Sequence, residues 1–335
     1  MSITIKDIAK LANVSHTTVS RALNNSPLIN EETKSKIKAI AEELHYVPNY
    51  SAKSLVLDKS YTIGLFFSSI IQSTSPSFFY ETIRGINTVI EEKYNLVVRG
   101  VNSYGDYCTI NNKRFDGIIL MSQSDNDNAF IYHVIKQEIP LIILDREVEE
   151  KNLINVLSDD EEGTFKAVEH LIQNGHKDIA IIEGKLKFKS AKKRKDGFLK
   201  ALIKYKLPIN SEFMVEGSYD MKSGYEGMKR LLNLPKRPSA VFCSNDDMAI
   251  GAIKAIFDKG LRIPEDISIV GFDDREFSEY TTPSLTTVKR PIEEISIIAG
   301  KKLIEVINGK KYEGEKIYIK TKLILRDSVL DLNNK

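Results

Sequence analysis

At 335 residues with 42% hydrophobic side chains, the chain has material for two or three packed domains. The formal net charge is only +2, and residues 1–58 carry seven Lys and Arg against six Asp and Glu, so no global charge announces a nucleic-acid partner. Cys108 and Cys243 stand far apart and outside any metal-ligand spacing, no run is apolar for long enough to span a bilayer, and no signal peptide is visible; these features predict a reduced, cytoplasmic protein with no membrane partner. The five histidines form no HExxH-type cluster, and neither a phosphate loop nor a G-x-S-x-G motif occurs. The expectation is a protein without a catalytic residue, a metal or a cofactor.

The first two dozen residues hold the most organised local pattern. In IKDIAKLANVSHTTVSRALN (5–24), Ile5, Ile8, Ala9 and Ala12 recur at helical spacing, with Thr4 as N-cap and Asp7 three residues on. Ser15 stands where a second N-cap belongs, and His16 to Leu23 continues as a helix with Val19, Ala22 and Leu23 inward. Two short helices joined by a tight turn make a helix-turn-helix, whose second helix can enter a DNA major groove. His16, Thr17, Thr18, Ser20 and Arg21 supply short hydrogen-bonding groups for base edges and a cation for phosphate. The same periodicity fits an αα-hairpin with a solvated polar face, and periodicity alone does not choose. Asn30 can cap a third helix from Glu31, with Ile37, Ile40, Ala41 and Leu44 at i, i+3, i+4, i+7 and Pro48 at its end. Residues 49–57, NYSAKSLVL, are amphipathic but too few to hold a helix alone.

From Tyr61 short β-branched runs alternate with helical patterns. Residues 61–67, 95–101, 117–121, 140–145, 179–183, 240–243 and 267–273 read as buried parallel strands. Helices are expected over 82–93, 161–174, 195–205, 223–232, 247–259 and 292–308. This alternation implies doubly wound α/β layers that open to ligand at the carboxyl ends of their strands. Asp145, Asn245 and Asp273 fall at such ends, and Arg194 precedes Gly197 by three residues. Carboxylates, an amide and a guanidinium are the groups that take vicinal hydroxyls, and an aromatic face suits the C–H side of a sugar ring. Asp145 and Asp273 fit simple turn caps as well, and Phe78 and Phe79 fit a core.

The N-terminal segment resembles the DNA-reading head of the lactose-repressor/galactose-repressor (LacI/GalR) family of bacterial regulators. That head reads T-I-x-D-[IV]-A-x-x-A-x-V-S-x-x-T-V-S-R-x-L-N, and this chain carries Thr4, Ile5, Asp7, Ile8, Ala9, Ala12, Val14, Ser15, Thr18, Val19, Ser20, Arg21, Leu23 and Asn24 in register. The resemblance implies a DNA-binding domain at 1–48 and a hinge helix and linker at 49–60. It also implies an effector-binding, dimerising core at 61–330 built of two doubly wound parallel-sheet subdomains like a periplasmic binding protein. The N-subdomain would take about 61–158 and 290–319, and the C-subdomain about 159–289 and 320–330. Thr4, the residues from Ser15 to Arg21 named above and Asn24 would meet DNA. In the hinge Asn49, Ala52, Lys53 and Leu55 would do so, with Leu55 as the apolar wedge of the minor groove. Lys53 stands where the family often has arginine, which keeps the cation but loses its planar fork. Phe78, Phe79, Asp145, Arg194, Tyr219, Asn245 and Asp273 match positions that bind effector.

Two features are this chain's own. Only RGVNSYGDYCTINNKRF (99–115) lies where the family usually places a further helix, so a helix there is expected to be shortened or lost. Lys185, Lys187, Lys189, Lys192, Lys193, Arg194 and Lys195 crowd what reads as one loop at the cleft mouth; this suits either an anionic effector such as a sugar phosphate or plain solvation. The C-terminal LILRDSVLDLNNK leaves no room for the heptads of a tetramerising coiled coil. The expected protein is a homodimeric repressor of double-stranded, pseudo-palindromic operator DNA, controlled by a small sugar or sugar-phosphate effector. A catabolite-type regulator with a phosphoprotein co-repressor and a sugar-binding transport protein are the alternatives.

Overall fold

The computed structural model describes residues 3–23, 25–46, 59–70 and 76–333. The chain divides into two compact units, Met1–Lys59 and Ser60–Lys335. Asn24 and the expected hinge residues Asn49, Ala52, Lys53 and Leu55 lie outside the described residues.

In the first unit, α1 (Ile5–Ala12), α2 (His16–Leu23) and α3 (Glu31–Glu43) pack as a three-helix cluster. Local hydrogen bonds set each helix start. The Asp7 carboxylate accepts from the backbone N–H and the hydroxyl of Thr4 at 2.9 and 2.7 Å, which holds its carboxyl below the usual range. Asn13 turns left-handed at φ 56°, so that the Val14 N–H returns to the Ala9 carbonyl at 3.0 Å. Ser15 Oγ then accepts from the Thr18 N–H at 3.1 Å, and Asn30 does the same for Thr33 at 2.8 Å. Ile8, Val19, Ala22 and Ile37 are fully buried, and the small side chains Ala9, Ala12 and Ala22 let the helices approach closely.

The second unit holds two six-stranded sheets. The first is built from β1 (Thr62–Phe67), β2 (Asn95–Gly100), β3 (Gly117–Met121), β4 (Leu141–Leu144), β5 (Ile154–Ser158) and β11 (Glu315–Ile319), in the order β11-β5-β4-β3-β1-β2. The second contains β6 (Ile179–Glu183), β7 (Met214–Glu216), β8 (Ala240–Cys243), β9 (Ser268–Asp273), β10 (Thr286–Lys289) and β12 (Lys322–Ile324), in the order β12-β10-β9-β8-β6-β7. Neighbours pair in parallel, save the antiparallel β10 and β12. Every residue of β3, β4, β6 and β8 is buried, as expected where helices cover both faces. On the first sheet α4 (Pro76–Ile90) and α10 (Ile292–Ile307) cover one face, and α5 (Asn128–Lys136) the other. On the second, α6 (Asp160–Gln173) and α7 (Lys189–Lys204) lie opposite α8 (Met221–Leu232) and α9 (Asp246–Asp258). The chain crosses from sheet to sheet after β5, after β10 and after β11.

Several expectations need correction. Helix α4 starts at Pro76, not at residue 82, so Phe78 and Phe79 sit in its first turn. Helix α7 starts at Lys189, not at residue 195, so the lysine run is mostly a helical turn and not one loop. Lysine is a good helix former, and Ala191 and Arg194 supply a buried i, i+3 pair that the surrounding charge obscured. Strands β5, β7, β10, β11 and β12 and helix α5 carried no sufficiently distinct pattern to be expected. Between β2 and β3 the described chain has only a 3-10 turn at Val101–Ser103. Val101, Ile110 and Phe115 cover that edge instead, with Phe115 edge-on to Phe66 at 5.8 Å between ring centroids.

Candidate functional site

The outer side of α2 is polar and open. Ser15, His16, Thr17 and Arg21 are exposed and Thr18 and Ser20 half-buried, whereas Val19 and Ala22 on the opposite side seal the core. Thr18 Oγ1 lies 2.9 Å from Ser15 Oγ, fixing both hydroxyls at the helix start. Thr4 is exposed and spent on the α1 cap. Apart from Asn24, the expected head residues thus converge on one capped helix and its flank.

The second candidate site is a small cavity of about 50 Å³ between the two sheets. Phe78, Asp145, Arg194, Tyr219, Asn245 and Asp273 all line it. Phe79 does not: its ring packs on Phe67 at 5.1 Å as part of the core. The cavity draws on both sheets at the carboxyl ends of their strands, where parallel strands splay and their loops diverge.

Backbone geometry aims these side chains. Asp145, Tyr219 and Asp273 have φ of 71°, 65° and 113°, a region that L residues seldom occupy. Such strain persists where surrounding contacts over-determine it. Tyr219 stacks parallel to Phe188 at 6.0 Å and 19°, and its ring fills the space a Cβ on Gly184 would take. Asn245 caps α9 by accepting from the Met248 N–H at 2.9 Å and donates to the Tyr219 carbonyl at 3.1 Å, so one amide fixes two walls.

Ionic contacts organise the rest. Arg194 is buried and meets Asp160 through two nitrogens at 2.9 Å, Asp273 at 3.6 Å, and the face of Phe272 with its Cζ 3.8 Å from the ring centre. Burial opposes its charge, but Asp160, Tyr219 and Asp273 more than offset this and hold the guanidinium above its usual range. Arg290 pairs with Asp145 and donates to Ser158 Oγ at 2.8 Å. Ser158 and Asp160 flank the first crossover between sheets and Arg290 lies at the second, so the hinge and the cavity share one polar network. Behind the wall, fully buried Asp246 accepts from Thr287 Oγ1, the Arg275 N–H and Ser278 Oγ at 2.6, 2.7 and 2.8 Å. Burial and the nearby Asp273 push its carboxyl up to about 7.

A model described as "Bacterial regulatory proteins, lacI family" matches residues 4–49, and one described as "Periplasmic binding protein-like domain" matches residues 168–329. The chain is 58% identical over 327 residues, 98% of each protein, to the probable HTH-type transcriptional repressor ExuR of Bacillus subtilis (strain 168). It belongs to the lacI family of bacterial regulatory proteins. Among solved structures, the Lac repressor dimer bound to operator and the anti-inducer ONPF superposes with a TM-score of 0.81 at 28% identity, covering 98% of this chain and 100% of that one. The complex of the transcriptional regulator CelR with cellobiose gives 0.74 at 26%, covering 97% and 99%.

Sequence reasoning missed five lining residues of this lacI-family cleft: Gln123, Phe188, Ser190, Arg275 and Arg290. Gln123 and Phe188 follow β3 and β6, so the strand-end rule that found Asp145 reaches them too. Arg290 follows β10, whose sequence TTVK is too short and polar to announce a strand. Of the crowded lysines, Lys189 is paired with Asp125 at 2.9 Å and Lys195 with Glu183 at 2.8 Å. Lys185, Lys187, Lys192 and Lys193 line neighbouring grooves instead. Among the described residues no group of His, Cys, Asp and Glu gathers to hold a metal ion, and no helix is long and apolar enough to cross a membrane.

Proposed function

We propose that this lacI-family chain is a cytoplasmic transcriptional repressor. It acts as a homodimer on a pseudo-palindromic operator, under the control of a small sugar or sugar-phosphate effector and without a catalytic step of its own. The reading is carried by a capped helix-turn-helix with an open polar face, on the same chain as a polar cavity between two doubly wound subdomains. In this reading His16, Thr17 and Arg21 lead recognition, helped by Thr4, Ser15, Thr18, Ser20 and Asn24. The stretch 49–60, with Asn49, Ala52, Lys53 and Leu55, enters the minor groove. Effector binds Asp145, Arg194, Asn245 and Asp273 against Phe78 and Tyr219, and shifts the two subdomains about the crossovers. Its differential affinity for the two arrangements is what moves operator affinity.

The test is capture of genomic DNA fragments by the purified protein at near-physiological salt, followed by sequencing. Enrichment of one short inverted repeat is the expected result, and uniform recovery counts against the reading. Thr17→Ala should relax sequence preference at one position of each half-site, whereas Arg21→Ala should weaken all sequences alike and flatten the salt slope by about one if Arg21 meets phosphate, or weaken binding selectively if it reads guanine.

A further inference from the structure

We propose that closure of the two layers of the core completes the N-terminal cap of helix α7, with Asp125 as the positioning residue, so that the first turn of α7 is ordered when the layers meet and loosens when they part. The coupling is independent of what the cavity binds.

Helix α7 starts without means of its own. The first N–H groups of any helix have no partner inside it and take a side-chain acceptor, most often from the N-cap. In the same layer Asp159, Asp220 and Asn245 serve α6, α8 and α9 in this way. At α7 the N-cap is Phe188, whose ring offers no such acceptor, and the first turn holds no acidic residue. It holds cations instead. Lys189, Lys192 and Lys193 stand at i, i+3 and i+4, set against one another and against the positive end of the helix dipole. The lysine run is thus a helix start that its own residues disfavour.

The first sheet's layer supplies what is missing. The Lys189 N–H donates to the Gln123 carbonyl at 3.2 Å, and Lys189 Nζ meets Asp125 Oδ2 at 2.9 Å. Gln123 and Asp125 belong to the turn after β3, and that turn is fixed from its own side. Arg146, 3% exposed, donates to Asp125 Oδ1 at 2.7 Å and to Ser122 Oγ and Asn128 Oδ1 at 2.8 Å each. Buried Asp127 accepts from Ser68 Oγ at 2.6 Å and from Ser122 Oγ at 2.7 Å. The turn is therefore the rigid partner, and the start of α7 is the part that yields. Its yielding reaches the cavity, because Ser190 in that first turn lines the wall, 3.3 Å from the Tyr219 hydroxyl, and Arg194 follows one turn later. A loosened turn removes part of the wall as the layers part, which makes closure more nearly all-or-none.

The experiment is amide hydrogen exchange of the full chain read by mass spectrometry, comparing peptides over 185–195 with peptides over the self-capped start of α8. Asp125→Asn keeps an oxygen for Arg146. It should speed exchange over the first turn of α7 about threefold or more, the scale of a half-exposed ion pair, and leave α8 unchanged. Lys192→Glu, added to that variant, gives the turn an acid of its own and should restore slow exchange. Glu81→Gln cuts a tie between the layers that involves neither Lys189 nor the turn after β3. By parting the layers it should speed exchange over the same α7 peptides, and it keeps the test open should Asp125→Asn not fold. Unchanged α7 exchange in either single variant, a rise spread equally over α8, or no restoration by Lys192→Glu would each overturn the proposal.

Discussion

At the scale of single residues, Asp246 shows how the polar wall of the cavity is kept in place. Its carboxylate collects three hydrogen bonds from two segments, from Arg275 and Ser278 in the turn after β9 and from Thr287 on β10, and it borders the Cβ-sized space at Gly271. Because burial raises its folded carboxyl to about 7, the folded state binds more protons than the unfolded state between about pH 4 and pH 7. Its contribution is therefore fully present below the unfolded value and is lost as pH rises through 7. The Asp246→Asn variant should lose this component, so that the difference in melting temperature between variant and wild type changes steadily from pH 4 to pH 7 and levels off above. Parallel pH profiles in the two proteins would show that Asp246 stays ionised. The sequence SNDDMA (244–249) showed Asn245 as a strand-end residue but gave no sign that Asp246 points into the protein, because two adjacent acids on a helix start look alike until one is buried.

Among elements, the pair α8 and α9 owes its close approach to glycines. A Cβ on Gly224 would overlap the backbone of Met248, and one on Gly251 would overlap the carbonyl of Met221 and approach the Tyr225 nitrogen. Two effects then compete in Gly251→Ala. Alanine favours an isolated helix by about 1 kcal/mol, whereas overpacking against immovable backbone costs about 1–3 kcal/mol or more. The backbone clash should win, with a net loss of about 2 kcal/mol and a melting temperature lower by about 5 °C. Unchanged or raised stability would mean that the helices slide apart freely. Both glycines sit within strongly periodic helical stretches, so the helices were legible from sequence while the contact between them was not. The caps of α1, α2 and α3 are the opposite case: Thr4, Ser15 and Asn30 act on atoms three residues away, and local pattern was enough to place them.

For the core as a whole, the relation between its two subdomains carries the function. Glu81 on α4 reaches Arg275 beyond β9, tying the first sheet's layer to the second's. Burial raises the Glu81 carboxyl, and Arg275 partly restores it. Glu81→Gln removes this tie between the two layers, so the population that holds the layers together should fall and the apparent effector affinity with it, by about three- to tenfold. Titration of the variant against wild type measures this, with an expanded radius in solution scattering as the independent readout. Unaltered affinity and radius would mean that closure is governed by the crossovers alone.

The sequence by itself determined the helix-turn-helix, the alternating α/β texture of the core and six of the residues that line its cavity. Caps act over three residues, hydrophobic periods over one element, and strand ends mark where a parallel sheet opens, which reached Asp145, Asn245 and Asp273; the choice of a DNA-reading helix pair and the places of Phe78 and Tyr219 came from the family resemblance. Tertiary structure decided the rest. The short strands β5, β10, β11 and β12 exist only because neighbouring strands pair with them, and all four adjoin the crossovers between the sheets. Phe78 is buried in the core with an edge on the cavity and half-buried Phe79 packs on Phe67 away from it, because the helix that carries both starts earlier than its pattern suggested. Arg290 and Asp145, 145 positions apart in the chain, face each other only after both sheets have formed. A buried guanidinium cannot be told from a solvated one until the fold removes its water, and that is why the chemistry of the cleft was the last thing to become legible.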